Sequence, residues 1–228
     1  MRLAIFSDVH ADLLALERAL TQAEHFGCSV LVCAGDIVDG EPFPEETIAL
    51  LREHKIPCIR GNHDRWAIGE GRAIEPNGVL SGAPYDASGF GLSLAAVRYL
   101  ANLPSYWAAT LEGARVAVHH GRPGSDMKGV YPDLDRAEAR TLLEAAGADI
   151  LLLGHTHEAF VADLGDGRMI ANPGALWGPG GGTFGVLDVS ERGFRVFRAG
   201  GGEVEIPRVR FGPRCNLDRM KRQCLAAG

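Results

Sequence analysis

Residues 2–10 read RLAIFSDVH, and this stretch decides how the rest of the chain is read. Leu3, Ala4, Ile5 and Phe6 form an apolar run too short for a helix and without an exposed polar face. That is the pattern of a strand buried on both sides, as in a parallel sheet. The run ends abruptly on Asp8-x-His10. The same unit recurs along the chain. Apolar segments at 29–34, 56–60, 115–119 and 149–153 end on Gly35-Asp36, on Gly61-Asn62-His63-Asp64, on His119-His120-Gly121 and on Gly154-His155-Thr156-His157. In an α/β protein, strand C-terminal ends line the ligand crevice, so these segments are expected to converge on one sheet edge.

Helices separate the early strands. Residues 12–25 carry Leu13, Leu16, Ala19, Leu20 and Ala23 in helical rhythm. A second helix is expected at 45–54, entered through Pro42 and Pro44, and others at 92–100 and 136–146. Residues 107–111 and 115–119 read as a hairpin around Glu112-Gly113. Beyond residue 153 the character changes to short strands at 159–164, 168–171, 184–189 and 194–198, with Asp166-Gly167 as a hairpin turn. The second half is therefore expected to be mostly antiparallel. Residues 75–93 are rich in Gly, Pro, Ser and Asn and read as loop. Gly200-Gly201-Gly202 reads as a flexible break. One domain is expected over residues 1–200, with a C-terminal tail at 201–228 packed on it; residues 203–228 carry a net charge of +3 from six basic and three acidic residues.

The chain has 228 residues, of which 46% are hydrophobic and 23% charged, enough for a real core. Its net charge of -6 argues against a nucleic-acid partner, which calls for a basic face. No apolar run approaches the roughly 18 residues of a membrane span, and no signal peptide is expected at the N-terminus. The five cysteines (Cys28, Cys33, Cys58, Cys215, Cys224) show no CxxC spacing, so they are expected as thiols in a reducing cytoplasm. The sequence leaves homo-oligomerisation open.

Six of the eight histidines fall in the strand-end segments. In an extended stretch residues i and i+2 point the same way, so Asp8 with His10, and His155 with His157, can each reach one ion. Asp8, His10, Asp36, Asn62, His120, His155 and His157 make seven candidate ligands. Seven exceed one tetrahedral ion and suit two ions sharing a carboxylate. The mixed oxygen and nitrogen set favours Mn²⁺, with Fe, Zn²⁺ or Ni²⁺ as alternatives, over a thiolate site. Singly, each segment reads equally well as a strand-to-turn junction; their joint order does not.

This ordered set resembles the motifs D-x-H, G-D, G-N-H-D/E, H-G and G-H-x-H of the calcineurin-like metallophosphoesterase superfamily, in particular its small prokaryotic phosphodiesterase branch. The resemblance spans residues 1–200, and Asn172-Pro173-Gly174 is similar to that branch too. It implies a four-layer α/β/β/α sandwich with two central mixed sheets flanked by helices. It implies one metal on Asp8, His10 and His157, a second on Asn62, His120 and His155, and Asp36 bridging. It makes His63 the general acid and Asp39 the residue that orients it. The related protein phosphatases carry an arginine after that aspartate, where this chain has Gly40, so Arg65 and Arg122 become the candidate phosphate contacts alongside Asn62. The implied activity is metal-dependent hydrolysis of a small or nucleotide-type phosphate ester, most simply a diester, by water activated between two ions. A phosphomonoesterase or nucleotidase on the same site, and a catalytically silent protein-interaction scaffold, are the alternatives. Residues 75–93 and 177–182 are expected to form the pocket walls.

Overall fold

In the computed structural model, residues 1–69, 92–178, 181–209 and 211 are described. The chain begins with β1 (Arg2–Phe6), α1 (Leu13–His25), β2 (Val30–Cys33), α2 (Pro44–Glu53), α3 (Asn62–Ala67) and α4 (Leu94–Ala101). The hairpin β3 (Tyr106–Leu111) and β4 (Ala114–His119) follows, then α5 (Arg136–Ala146), β5 (Ile150–Leu152), β6 (Phe160–Asp163) and β7 (Met169–Asn172). It closes with β8 (Thr183–Asp188), β9 (Gly193–Arg198), β10 (Glu203–Val204) and β11 (Arg208–Val209). The helices start where polar caps allow. Asp12 accepts from Ala15 N, Ser93 from Ala96 N, and Asp135 from Ala137 N and Glu138 N, each satisfying donors that a first turn leaves open.

The strands form two mixed sheets, ordered β10-β9-β8-β1-β2 and β11-β6-β7-β5-β4-β3. β1 alternates between two cores. Leu3 and Ile5 face the second sheet and pack with Val116, Val118, Ile150 and Leu152. Ala4 and Phe6 face outward and are covered by Leu16, Ala19 and Leu20 of α1. On the far side, Leu142 and Leu143 of α5 cover Leu151 and Ile170. The layers are thus helix, sheet, sheet, helix, as the family resemblance implies.

Beyond residue 153 most pairings are antiparallel as expected, β6 with β7, β8 with β9, β9 with β10 and β8 with β1, while β7 with β5 and β11 with β6 run parallel. Two expectations need correction. Residues 56–60 do not form a strand. They make a single parallel bridge, Cys33 to Cys58, because Pro57 has no N–H to continue a ladder. Gly200-Gly201-Gly202 is not a break but a tight turn, in which Arg198 N donates to Gly202 O at 3.0 Å and β10 returns antiparallel to β9. Residues 75–91 of the expected loop, and most of the tail, lie outside the described residues.

Candidate metal centre

The segments after β1, β2, β4 and β5, and the start of α3, meet at one edge of the sandwich. The first two are laced together by backbone: Asp8 N donates to Gly35 O at 3.0 Å, His10 N to Asp36 O at 2.9 Å and Ala11 N to Ile37 O at 2.8 Å. Asp64 locks the second to α3. Its wholly buried carboxylate accepts from Ile37 N at 2.8 Å and from Gly61 N at 2.9 Å. Burial, and then the charge of Asp36, push the Asp64 carboxyl up to about 6. Its anchoring role was not anticipated, although it stands inside the quoted Gly61–Asp64 motif.

The paired ligands do not converge by strand alternation. Asp8, His10, His155 and His157 have φ of 53°, 48°, 70° and 58°, and Asp36 has 51°. This left-handed backbone costs about 1–2 kcal/mol per residue and persists only where surroundings enforce it. Strain of this kind gathers where a site needs side chains turned against local preference.

Three groups of donor atoms result: Asp8, His10 and His157; Asp36, His120 and His155; and His10, Asp36 and His63. In the first, His157 Nε2 lies 3.2 Å from Asp8 Oδ1 and 3.3 Å from His10 Nε2. His10 Nδ1 must donate, because its partner at 2.8 Å is the Asp39 carbonyl; Nε2 is left toward His157. In the second, His120 Nδ1 donates to the Ala34 carbonyl at 2.8 Å, which turns Nε2 to within 3.1 Å of Asp36 Oδ2. Asn62 Oδ1 is 3.0 Å from that same Nε2 and 2.9 Å from His155 Nδ1. Ser7 Oγ and His155 N both donate to Asp8 Oδ2, at 2.6 and 3.0 Å, fixing the carboxylate. All seven candidate ligands are therefore brought together, with Asp36 shared by the second and third groups and His10 by the first and third.

The donor set fits divalent ions. Asp8 and Asp36 are two buried carboxylates, and ring nitrogens face one another with little but lone pairs or shared protons between them. Burial opposes the Asp36 charge, yet His120, His63 and His10 hold its carboxyl well below the usual range. Burial likewise opposes the His120 charge, but Asp36 and Asp8 push that imidazole up. Cations satisfy this arrangement without such protons.

His63 stands beside the cluster, its Nδ1–H donating to Asp39 Oδ2 at 2.7 Å and its Nε2 3.9 Å from Asp36 Oδ2. Burial works against its charged form, but the bond to Asp39 and the nearby Asp36 raise its pKa. Gly40 follows with no room for a side chain: a Cβ there would lie 2.7 Å from the His10 carbonyl oxygen. Arg65 and Arg122 are not presented to the cluster as free cations. Arg65 Nε donates to Asp126 Oδ2 at 2.6 Å, and Arg122 pairs with Glu138. Both line a cavity of about 610 Å³ that His120 also borders. His119 points away and stacks on Tyr106, its ring centroid 5.4 Å distant.

A profile described as the calcineurin-like phosphoesterase superfamily domain matches residues 1–192. A probable metallophosphoesterase of Methanothermobacter thermautotrophicus is 26% identical over 177 residues, 77% of each chain. The crystal structure of a metallophosphoesterase from Sphaerobacter thermophilus is 27% identical, covers 90% of this chain and 89% of its own, and superposes with a TM-score of 0.66. A hypothetical protein from Pyrococcus horikoshii shares the fold at 17% identity, with a TM-score of 0.68 over 98% of this chain and 94% of its own. The match over most of the chain makes it a member of the calcineurin-like phosphoesterase superfamily, whose activity is metal-dependent hydrolysis of phosphate esters.

Proposed function

We propose that the protein is a phosphodiesterase acting on a small or nucleotide-type ester, with Mn²⁺ as the working ion. The observation that carries this reading is the state of the flanking arginines. A monoester dianion needs more positive charge than a diester monoanion. Here Arg65 and Arg122 are each neutralised by a carboxylate, and Gly40 stands where a protein phosphatase has arginine.

Asp8, His10 and His157 would hold one ion, Asn62, His120 and His155 the other, and Asp36 both. When bound, two such ions neutralise the phosphoryl oxygens and lower the pKa of a water between them. The chain's own residues do the rest. Asp39 keeps Nδ1 of His63 protonated, so that the proton given up is the one on Nε2. Asp36, Asp39 and Asp64 favour the imidazolium. His63 passes the Nε2 proton to the leaving oxygen as its bond to phosphorus breaks, which spares the loss of an alkoxide. Asn62, between His120 and His155, meets the phosphoryl group. The scaffold reading finds no support in lost ligands, since all seven are present. The three described cysteines, Cys28, Cys33 and Cys58, are free thiols, which agrees with a cytoplasmic setting. Among the described residues no helix is long and apolar enough to cross a membrane.

The test is hydrolysis of bis- and mono-p-nitrophenyl phosphate by metal-stripped protein with single ions added back. Preference for the bis-ester, abolished by Asp36→Asn, is expected. Preference for the mono-ester would replace this reading with that of a phosphomonoesterase.

A further inference from the structure

Trp177 is a large apolar side chain left 37% exposed, directly beside the ligand cluster. Its ring centroid lies 5.3 Å from that of His10 and 6.2 Å from that of His157, with interplanar angles of 64° and 78°. The indole therefore stands on edge against the imidazoles and leaves aromatic surface open at the rim. It is also fixed. Its Nε1–H donates to Glu41 Oε1 at 3.1 Å, its backbone N–H to the Asp8 carbonyl at 3.1 Å, and Leu176 N to the Ser7 carbonyl at 2.8 Å. The loop that carries the indole is thus pinned to the loop that carries the ligands. A solvent-exposed tryptophan does not need this much support for stability. An immobilised, open indole loses little entropy when a planar group stacks on it, which is the usual requirement for a recognition wall. Across the site, Trp66 lies 5.1 Å from the ring of His63, so aromatic surface borders the cluster on two sides. The Glu41 carboxylate at the rim disfavours further phosphates on the same substrate and favours a neutral ring.

We propose that Trp177 is the specificity-determining wall of the site, and that it selects phosphodiesters bearing a planar base by stacking; this rests on the phosphodiesterase reading above. The experiment compares methyl, thymidine 5′- and choline esters of p-nitrophenyl phosphate, which share one leaving group, on Mn²⁺-loaded wild type, Trp177→Ala and Trp177→Phe. The wild type should favour the thymidine ester over the methyl ester about tenfold in kcat/KM, through KM, as base stacking on an aromatic residue allows. Trp177→Ala should lose that ratio and Trp177→Phe should keep most of it, with melting curves confirming that both variants fold. An unchanged ratio in Trp177→Ala overturns the proposal. A choline preference that Trp177→Ala abolishes overturns it in favour of a cation on the indole face. A second readout is independent of turnover: thymidine 5′-monophosphate should quench tryptophan fluorescence in the wild type and distinctly less in Trp177→Phe, where Trp66 remains. If none of the esters is cleaved, the phosphodiesterase reading falls by itself, and the quench alone then decides the role of Trp177; its absence overturns that role.

Discussion

The carboxylate of Asp39 accepts the Nδ1–H of His63 at 2.7 Å. The carbonyl of the same residue accepts the Nδ1–H of His10 at 2.8 Å. One residue therefore sets the tautomer of both the proposed acid and a proposed ligand. His63→Ala should lower kcat by about 10²–10⁴-fold on a poor leaving group and leave the metal content unchanged. Asp39→Asn keeps the His10 contact, which uses backbone, and should cost about 10–100-fold. Metal analysis beside steady-state kinetics reads both; full turnover in His63→Ala would remove it from the mechanism.

Metal loading should stabilise the fold. Asp8 and Asp36 are buried at 0% and 1% exposure, and an ion bound only by the folded state shifts the equilibrium toward it. Mn²⁺ at about a hundredfold excess over its Kd should add about 2.7 kcal/mol. That corresponds to roughly 5–10 °C in Tm for a chain of this size. Calorimetry with and without chelator checks it. The same Tm in both would count against ion binding at these residues.

Gly61→Ala should act on the site as well as on stability. A Cβ at Gly61 would lie 2.1 Å from Asp36 Oδ1, so the carboxylate between the two ligand groups must move. Overpacking of this kind costs about 1–3 kcal/mol. The expected result is weaker metal binding by titration calorimetry together with a lower Tm. Metal affinity equal to wild type would show that Asp36 is free to shift.

Arg115 donates from its guanidinium to Asp149 at 2.8 Å and from its backbone N–H at 3.0 Å, and these bonds hold the Asp149 carboxyl down to about 2. The unfolded value is about 3.9, so the contribution is full above that pH and fades as pH falls toward the folded value. Both groups meet solvent, so the effect is small. Asp149→Asn should lower Tm slightly at neutral pH, and the difference from wild type should close in acid. A difference that grew on acidification would contradict the assignment.

The candidate ligands were legible because each follows a short apolar segment, in all but the case of Asn62 a strand, and strand ends are where an α/β sheet exposes side chains to a common edge. Helix α1 was legible from its apolar rhythm and α2 from the prolines that lead into it, whereas the caps Asp12, Ser93 and Asp135 that fix the starts of α1, α4 and α5 came from the structure. The left-handed turns at Asp8, His10, His155 and His157 were not legible, since aspartate and histidine carry no strong local preference for them; the lacing of Asp8 and His10 to Gly35 and Asp36 imposes the first pair. The short helix α3 was not read from the sequence; its start is fixed by the bond from Gly61 N to the Asp64 side chain.

By itself the sequence determined which polar residues follow the apolar segments, their order along the chain and the alternation of strand and helix in the first half, because these depend on local composition and period. The tertiary structure alone decided that β1 pairs antiparallel with β8, some 180 residues later, that Arg65 and Arg122 are spent on Asp126 and Glu138, and that Trp177 stands at the rim of the site. Each of these is a contact between residues far apart in sequence. Such contacts are set by how sheets close over shared cores and by which buried polar groups must find partners, and no local pattern encodes them.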